Sequence, residues 1–304
     1  MAGQRNLPAS VRQQLLNLSA KRGEAFDLVL VRFAIERLLY RLSQSPHADR
    51  FLLKGAMLFA IWLDGSHRPT RDVDLLGFGP DDANDITAVF REVCAVAVED
   101  DGLQFQASTL RVDPIRGNTH YSGLRVRLEA RLSTIRIPVQ VDIGFGDAVT
   151  PEPETVTFPG LLDFATPVLR AYPIYTVVAE KTEAMVHLGE TNTRMKDFYD
   201  VWFLSGRFDF DGPTLAKAMY ATFARRRTAL PAGMPLALTE GFVETRAPMW
   251  RAFLRRNGLR ELPFPEVSEK LREFLGPVLA SPHQEIQRRH WKANRGWIKL
   301  PSIS

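Results

Sequence analysis

The chain has 304 residues and one cysteine, Cys94. A single cysteine excludes an internal disulfide framework and is typical of proteins that work in a reducing compartment. No apolar stretch approaches the roughly 20 residues that a membrane-spanning helix needs. The chain also does not open with a charged start, an apolar run and a small-residue cleavage site. We therefore expect a cytoplasmic protein without membrane segments.

Histidine is also scarce, with six residues in the chain. None of them has the H-x-x-x-H or H-x-x-E-H spacing that zinc sites use, so a zinc centre has little support. The hydrophobic content of 45% is sufficient for one large core or for two ordinary domains. The function must therefore be sought in local motifs of other residue types.

Positive charge is concentrated in the C-terminal part of the chain. Residues 221–304 hold 15 lysines and arginines against seven aspartates and glutamates, whereas residues 1–220 hold 24 against 28. Many of the C-terminal arginines are adjacent, at 225–227, 255–256 and 288–289. Such clusters favour a surface that binds a polyanion, although solvated helix faces without a partner give the same pattern.

The most informative motif is the D-x-D pair of Asp72 and Asp74. Two carboxylates two residues apart on an extended strand point to the same side, while Val73 and Leu75 anchor the opposite side in the core. Mg²⁺ prefers hard oxygen ligands and commonly sits on one or two carboxylates together with substrate phosphates. The pair therefore predicts a magnesium site for nucleotide triphosphate chemistry. A solvated cluster of aspartates beside a turn is the alternative.

A second strand adds another carboxylate. Apolar residues alternate from Ile135 to Ile143, so Asp142 lies on the opposite face together with Gln140. Asp142 is thus a candidate third carboxylate, and an exposed aspartate at a strand end is the alternative. Pro138 predicts an edge or a bulge in this strand. Further periodic patterns predict the remaining elements: a strand over 124–130 and helices near 11–18, 26–43, 55–63 and 82–98.

Lys181 occupies an unusual position, in the apolar stripe of a predicted helix and four residues from both Val177 and Met185. Because burial of an unpaired ammonium group is costly, it needs a carboxylate or a bound phosphate, unless its end snorkels to solvent. Asp197 lies on the inward face of the next predicted helix, with Asp200 as its i+3 neighbour. A purely structural ion pair between Lys181 and Asp197 is the alternative to a functional role.

The residues discussed so far belong to a series of ordered motifs, which together resemble those of the AbiEii/AbiGii nucleotidyltransferase toxins. This family includes the MenT-type toxins. The resemblance covers the chain from about Leu53 to about Leu204, and the C-terminal part carries no motif of this kind. One position departs from the wider nucleotidyltransferase signature: Ala56 follows the glycine where Gly or Ser is usual. The backbone N–H remains available there. In chain order, the motifs are Leu53-Lys-Gly55, Arg68-Pro-Thr70-Arg-Asp72-Val-Asp74-Leu, Val141-Asp142-Ile143, Ala179-Glu-Lys181 and Arg194-Met-Lys-Asp197-Phe-Tyr-Asp200.

The resemblance implies an α+β fold, with a nucleotidyltransferase-type mixed sheet flanked by helices and a helical C-terminal lobe. Prolines punctuate residues 151–173. We therefore place the catalytic domain, with its N-terminal helices, at 1–172 and the basic helical lobe at 173–304. The resemblance also implies the toxin of a toxin–antitoxin or phage-defence pair, with a cognate antitoxin as partner. Such toxins transfer a nucleotide from an NTP to RNA, notably to the 3′ end of tRNA.

The resemblance further assigns roles. Asp72 and Asp74 would hold Mg²⁺ on the β- and γ-phosphates, and Asp142 would help to place a second ion at the acceptor hydroxyl and take its proton. Mn²⁺ is an alternative ion. Lys181 and Arg68 suit the triphosphate and the leaving pyrophosphate, with Asp197 orienting Lys181.

The predicted catalytic set is therefore Asp72, Asp74, Asp142, Lys181 and Asp197. Asp200 ranks lower, as a helix-stabilising residue. A phosphate added to Thr70, on the rim of the site, would compete with the nucleotide. The predicted nucleotide-binding residues are Lys54, Gly55, Arg68, Thr70 and Lys181.

Two other functions remain open from the residues. An enzyme of the same fold can attach a nucleotide to a protein side chain or to an antibiotic hydroxyl, for which no basic lobe is needed. A non-catalytic nucleotide-binding regulator should lack a complete carboxylate set, whereas Asp72, Asp74 and Asp142 are all present. The sequence does not indicate which NTP or which RNA is used.

Overall fold

The computed structural model describes residues 6–63, 67–115, 123–280 and 286–299. The chain forms two compact units: Met1–Gly146 with Glu154–Tyr172, and Asp147–Pro153 with Pro173–Ser304. In the described ranges, none of the helices has the length and hydrophobicity required to cross a bilayer.

The first unit is built on a seven-stranded mixed sheet with the strand order β3-β4-β5-β2-β1-β7-β6. Pairing is parallel between β2 and β5 and between β1 and β7, and antiparallel at the other contacts. The predicted α+β class with a mixed sheet is thereby confirmed. The strands are β1 (Phe51–Lys54), β2 (Asp72–Gly77), β3 (Leu103–Pro114), β4 (Gly123–Leu132), β5 (Ile135–Phe145), β6 (Glu154–Thr157) and β7 (Val168–Ala171).

Four α-helices belong to the described part of this unit: α1 (Leu7–Arg22), α2 (Phe26–Ser43), α3 (Leu58–Trp62) and α4 (Ala83–Ala95). The predicted bounds of α2 are confirmed. The predicted helix over 55–63 begins instead as a 3₁₀ turn, Gly55–Met57, and becomes α-helical at Leu58. The apolar faces of α2 and α4 are buried against the sheet and each other, which is the usual way for amphipathic helices to cover a sheet.

Helix α2 also contributes an internal ion network. Arg37 Nε lies 2.9 Å and Arg41 Nη1 lies 2.7 Å from Asp101 Oδ2, and all three residues are buried. Arg37 also donates to the backbone oxygen of Ala165 at 2.7 Å. Because each buried charge has a partner of opposite sign or a backbone group, this cluster ties α2 to two loops of the first unit.

Strand β5 has neighbours on both sides, β4 and β2, so it is not an edge strand of the sheet. Its pairing with β2 runs from Gln140 to Phe145, whereas its pairing with β4 runs from Ile135 to Gly144. Pro138 therefore lies in the part of β5 that pairs with β4 alone. The prediction of an edge is correct for this segment and wrong for the strand as a whole, because β2 begins only opposite Gln140.

The second unit is mainly helical, as predicted, but it also contains a small three-stranded antiparallel sheet, order β10-β9-β8, which the sequence did not predict. Trp291 of this sheet is fully buried and donates its indole N–H to the Ser205 backbone oxygen at 2.7 Å. The elements are α5 (Ile174–Leu188), α6 (Met195–Arg207), β8 (Phe210–Asp211), α7 (Gly212–Arg225), α8 (Glu240–Arg256), α9 (Phe264–Ala280), β9 (Arg289–Lys292) and β10 (Gly296–Lys299).

Candidate functional site

The D-x-D pair lies on strand β2 as predicted. Asp72 and Asp74 are half-buried, whereas Val73 and Leu75 on the other face are 0% and 2% exposed. In the parallel pairing with β5, Asp74 lies directly opposite Asp142. The three carboxylates therefore lie on one face of two neighbouring strands, because side chains at paired positions of a sheet point to the same side.

Gly55 is required by its approach to Asp74. Its φ is +75°, and a Cβ atom at this position would lie 2.0 Å from Asp74 Oδ2. Any other residue would both strain the backbone and collide with the carboxylate. Lys54, the residue before Gly55, lies opposite Asp74 in the antiparallel register of β1 and β2. The glycine therefore lets the 3₁₀ turn begin directly against the carboxylate. The roles of Lys54 and Gly55 in binding a nucleotide remain predictions.

Thr70 orients the first carboxylate of the pair. Its hydroxyl donates to Asp72 Oδ1 at 2.7 Å, with the Asp72 backbone oxygen at 3.3 Å. The sequence placed Thr70 on the rim of the site but did not indicate this bond. A hydrogen bond to a charged group fixes the side-chain rotamer of Asp72 before any ligand binds.

Arg125 of β4 is a residue that sequence reasoning missed. Its Nε and Nη2 atoms donate to Asp142 Oδ1 at 2.7 Å and Oδ2 at 2.6 Å, and Gln140 donates to Oδ1 at 3.2 Å. The hydrogen bonds to Asp142 raise the pKa of Arg125, and the nearby charges of Asp72 and Asp74 add to the increase. Apolar and polar residues alternate along β4, so its polar face was predictable. The register that places Arg125 opposite Asp142 was not.

A cleft of about 580 Å³ lies beside these residues within the first unit. His67 and Phe59 stack on its wall with their ring centroids 4.0 Å apart. Arg32 on the wall pairs with Glu24 at 2.9 Å. Two of the predicted nucleotide-binding residues contribute to the lining. Ala56, the residue after Gly55, also lines the cleft, and the polar residues of the wall are Arg22, Glu24, Arg32, His67, Arg68, Thr70 and Thr157.

The D-x-D carboxylates fit a magnesium ion better than Asp142 does. Among residues 6–63, 67–115, 123–280 and 286–299, no three Asp, Glu, His or Cys side chains are grouped closely enough to hold one metal ion. A Mg²⁺ site does not require three protein ligands, because the ion often binds one or two carboxylates and completes its coordination shell with water and substrate phosphates. Both oxygens of Asp142 already accept hydrogen bonds. The metal ligands therefore remain a prediction.

The second unit contains a separate buried cluster around Lys181. The Lys181 ammonium group lies 2.9 Å from Asp197 Oδ1 and 2.7 Å from Asp200 Oδ2, and Arg194 Nε donates to Asp197 Oδ2 at 2.6 Å. Both aspartate side chains are 0% exposed. The ion pair that we considered as the structural alternative is thus present. The role of Lys181 at a triphosphate remains a prediction.

Asp200 contacts Lys181 as closely as Asp197 does, which the sequence did not indicate. Burial alone would raise the pKa of Asp197, but the charges of Lys181 and Arg194 offset this and hold the pKa at about 2. Asp197 is therefore ionised throughout the neutral range. The i, i+3 spacing of the two aspartates was visible in the sequence, but their common partner depends on how α5 packs against α6.

The arginines that we predicted to bind a polyanion are not equivalent. Arg226 is only 16% exposed and pairs with Asp147 at 3.0 Å, Glu180 at 3.2 Å and Glu183 at 2.9 Å. Burial by itself would lower the pKa of Arg226, but the three carboxylates raise it above its ordinary value. Arg226 is therefore an internal cation. The clustered arginines that are exposed are Arg225, Arg227, Arg255, Arg256 and Arg288, and Arg289 is half-buried.

The mixed sheet, with the D-x-D pair next to a glycine turn, is the arrangement that the resemblance to nucleotidyltransferases implies. The model of the family described as "Nucleotidyl transferase AbiEii toxin, Type IV TA system" matches residues 37–275. The chain belongs to this family. Its recognition from sequence motifs is thereby confirmed, and so is the expectation of a toxin from a toxin–antitoxin system, to which the family description adds that the system is of type IV.

Two solved structures are distantly similar to the chain. JHP933 from Helicobacter pylori has 14% identity and a TM-score of 0.45, over 83% of this chain and 88% of that one. A putative nucleotidyltransferase from H. pylori has 15% identity and a TM-score of 0.41, over 83% of this chain and 90% of that one. No curated protein matches the sequence.

Proposed function

We propose that this member of the AbiEii family is a Mg²⁺-dependent enzyme that transfers a nucleoside monophosphate from an NTP to RNA, with the 3′ end of tRNA as the acceptor. The observation that carries the proposal is the Asp72 and Asp74 pair on β2, beside Asp142 of β5 and against Gly55. Phosphoryl-transfer enzymes act mainly by positioning and charge neutralisation, and this arrangement supplies groups for both tasks.

In the proposed reaction, an RNA hydroxyl oxygen attacks the α-phosphorus of the NTP. A P–O bond forms to that oxygen, the bond from the α-phosphorus to the bridging oxygen breaks, and pyrophosphate leaves. Asp142 takes the proton of the hydroxyl. Asp72 and Asp74 hold Mg²⁺, or Mn²⁺ in its place, which supplies Lewis-acid chemistry at the phosphates when bound. Thr70 keeps the carboxylate of Asp72 in place through its hydroxyl.

The cleft supports a nucleotide substrate. Arg68 and Thr70 line it together with Arg22 and Arg32, so its wall carries several groups that bind phosphate oxygens. Lys54 precedes the glycine turn and lies opposite Asp74 in the antiparallel register of β1 and β2. This position is close to where a triphosphate would meet the carboxylates. We assign Lys54, Gly55, Arg68 and Thr70 to the nucleotide. On the family resemblance alone, we also assign Lys181, with Asp197 orienting it, to the triphosphate.

The exposed arginines of the second unit support a nucleic-acid acceptor. Arg225, Arg227, Arg255 and Arg256 reach solvent and suit a phosphate backbone. The family's place in toxin–antitoxin systems supports a cognate antitoxin as a further partner. We propose that the protein acts in the cytoplasm, where NTPs and tRNA are available and where its single cysteine stays reduced.

The test is to incubate the protein with each of the four α-³²P-labelled NTPs, Mg²⁺ and a cell lysate, and then to separate RNA, protein and small molecules. We expect the label in an RNA band of tRNA size, and no label with Asp72→Ala. In a second incubation, purified tRNA that lacks the 3′-terminal hydroxyl should not become labelled. Label in protein or in a small molecule would show that this molecule, and not RNA, is the acceptor. No label in any fraction would refute the nucleotidyltransferase activity.

A further inference from the structure

We propose that Arg125 acts as a fixed cation at Asp142, in the place that a second metal ion would take, so that the enzyme works with one divalent ion bound at Asp72 and Asp74. The inference rests on the proposed nucleotidyl transfer and names a catalytic group that sequence motifs did not indicate. It differs from our sequence-based expectation of two ions.

The contact between Arg125 and Asp142 is fixed by the sheet. The two residues face each other in the antiparallel pairing of β4 with β5, which continues without interruption from Ile135 to Gly144. Both donors of the guanidinium fork are used, at 2.7 and 2.6 Å, and Gln140 adds a third hydrogen bond to Oδ1. A planar guanidinium between two strand positions is a specific geometry that a flexible surface pair does not adopt.

These contacts leave Asp142 little capacity for a metal ion. A carboxylate offers about four lone-pair sites, of which three accept hydrogen bonds here. The remaining site on Oδ2 can accept a hydrogen bond from an acceptor hydroxyl. A divalent cation at the same oxygen would lie next to the positive charge of Arg125, which repels it. Asp142 can therefore receive a proton while Arg125 is in place.

The charges of the cluster lead to the same conclusion. Asp72, Asp74 and Asp142 together carry three negative charges, and Arg125 carries one positive charge that all three carboxylates favour. A second divalent ion at Asp142 would have to lie beside the guanidinium that this carboxylate already holds at 2.6 and 2.7 Å. Arg125 thus supplies charge neutralisation on the acceptor side of the site.

The decisive experiment counts bound ions without turnover. Equilibrium dialysis against Mn²⁺ and inorganic tripolyphosphate is followed by elemental analysis of the wild type, Asp142→Asn and Arg125→Met, with a tripolyphosphate-only correction for ions outside the protein. We expect one protein-dependent Mn²⁺ per chain in the wild type and the same count in Asp142→Asn. Arg125→Met should gain a second ion at the exposed Asp142 and lose transfer activity by about 10²- to 10³-fold, since one preorganised charge is removed.

Arg127→Met is the matched control. Arg127 lies two residues further along β4 on the same face and pairs with Asp113, with both side chains more than half exposed. This variant should keep the ion count and the activity of the wild type. A wild-type count of two that falls to one in Asp142→Asn would overturn the inference even if Arg125→Met failed to fold. An Arg125→Met protein with one ion and full activity would also overturn it.

The ion count separates this inference from the proposed function. A count of one that is unchanged in Asp142→Asn supports a role for Arg125 even if RNA is not the acceptor. Wild-type protein that binds no ion would remove the metal site on which both ideas depend. RNA transfer by a wild type that binds two ions would retain the proposed function and reject the role of Arg125.

Discussion

Two charged clusters, one around Asp72, Asp74 and Asp142 and one around Lys181, contain similar residues in different surroundings. In the first unit, Asp72 and Asp74 are half-buried and Asp142 pairs with Arg125, which is 32% exposed. In the second unit, Asp197 and Asp200 are completely buried, and Lys181 connects them at less than 3 Å. The first set brings together three carboxylates, one of which pairs with a guanidinium. In the second set, Lys181 and Arg194 both pair with Asp197, and Lys181 also pairs with Asp200.

Clusters of similar charged residues can thus serve either function or stability, depending on their burial and their pairing. A buried ion cluster with balanced charge is costly to break, because removal of one partner leaves an uncompensated charge. A partly exposed cluster with an excess of negative charge is suited to bind a cation. We therefore expect substitutions in the first cluster to change activity and substitutions in the second cluster to change stability first.

The largest effect is expected at the D-x-D pair. Asp72→Ala or Asp74→Ala should reduce nucleotide transfer by about 10³- to 10⁴-fold, because several kcal/mol of charge stabilisation by the metal are lost. The melting temperature should stay the same or rise, since one of several clustered carboxylates is removed. Labelled-NTP transfer and thermal unfolding of the same preparations measure both quantities. An active variant would show that the metal site is elsewhere.

The next effect concerns the stability of the Lys181 cluster. Asp200→Ala or Asp197→Ala should lower the free energy of unfolding by about 3–5 kcal/mol, because Lys181 then keeps only one of its two carboxylates in a buried position. Chemical denaturation measures the change. The neutral triple variant Lys181→Met, Asp197→Asn and Asp200→Asn should recover much of the loss.

The same triple variant tests the predicted function of Lys181. If it recovers stability and remains inactive, Lys181 has a role beyond the ion cluster, whereas full activity would make the cluster purely structural. Asp209→Ala is the control for stability. Its ion pair with Lys292 lies at the surface, with side chains 54% and 45% exposed, and its removal should leave the unfolding midpoint unchanged.

Acid should weaken the second cluster in a defined pH range. The folded-state pKa of Asp197 is about 2, below the ordinary value of 3.8, so its contribution is present above about pH 4 and is lost as the pH falls toward 2. This amounts to about 2 kcal/mol for a shift of nearly two units. Urea unfolding of the wild type and Asp197→Asn between pH 5 and pH 2 measures the contribution. Parallel pH profiles would contradict the assignment.

A smaller effect on activity is expected from Thr70. Thr70→Val removes the hydroxyl that donates to Asp72 at 2.7 Å and should lower the transfer rate by about tenfold, the value of one hydrogen bond to a charged group. Thr70→Ser keeps the donor and should retain most of the rate. The comparison of kcat for the two variants isolates the hydroxyl. Equal rates would mean that Asp72 needs no positioning by Thr70.

The smallest change per residue is expected at the exposed arginines. Arg255→Glu with Arg256→Glu should raise the RNA concentration for half-maximal transfer several-fold and flatten its salt dependence, which has a log–log slope of about −0.7 per phosphate contacted on single strands. The KM for the NTP should not change. Arg136→Glu, at a 72% exposed arginine of the first unit, is the control with the same type of charge reversal. Identical salt slopes would argue against an RNA backbone at Arg255 and Arg256.

Local patterns predicted much of the fold. The bounds of α2 and the alternation of β5 follow from apolar spacing, because a helix or strand repeats its faces at fixed intervals. The small sheet formed by β8, β9 and β10 was missed. Its strands are two to four residues long, so none of them has a period long enough to detect, and β8 lies far from β9 and β10 in the chain.

Sequence spacing alone places Asp72 and Asp74 on one face of a strand and Asp142 on the polar face of another strand. The tertiary structure brings Asp142 to the same face as the D-x-D pair, through the register of β2 and β5, and it supplies the partners of these carboxylates. Arg125 meets Asp142 through the register of β4 and β5, and Lys181 meets Asp200 through the packing of two helices. Periodicity is a property of the local backbone, whereas an ion pair between separate elements depends on how they are placed against each other.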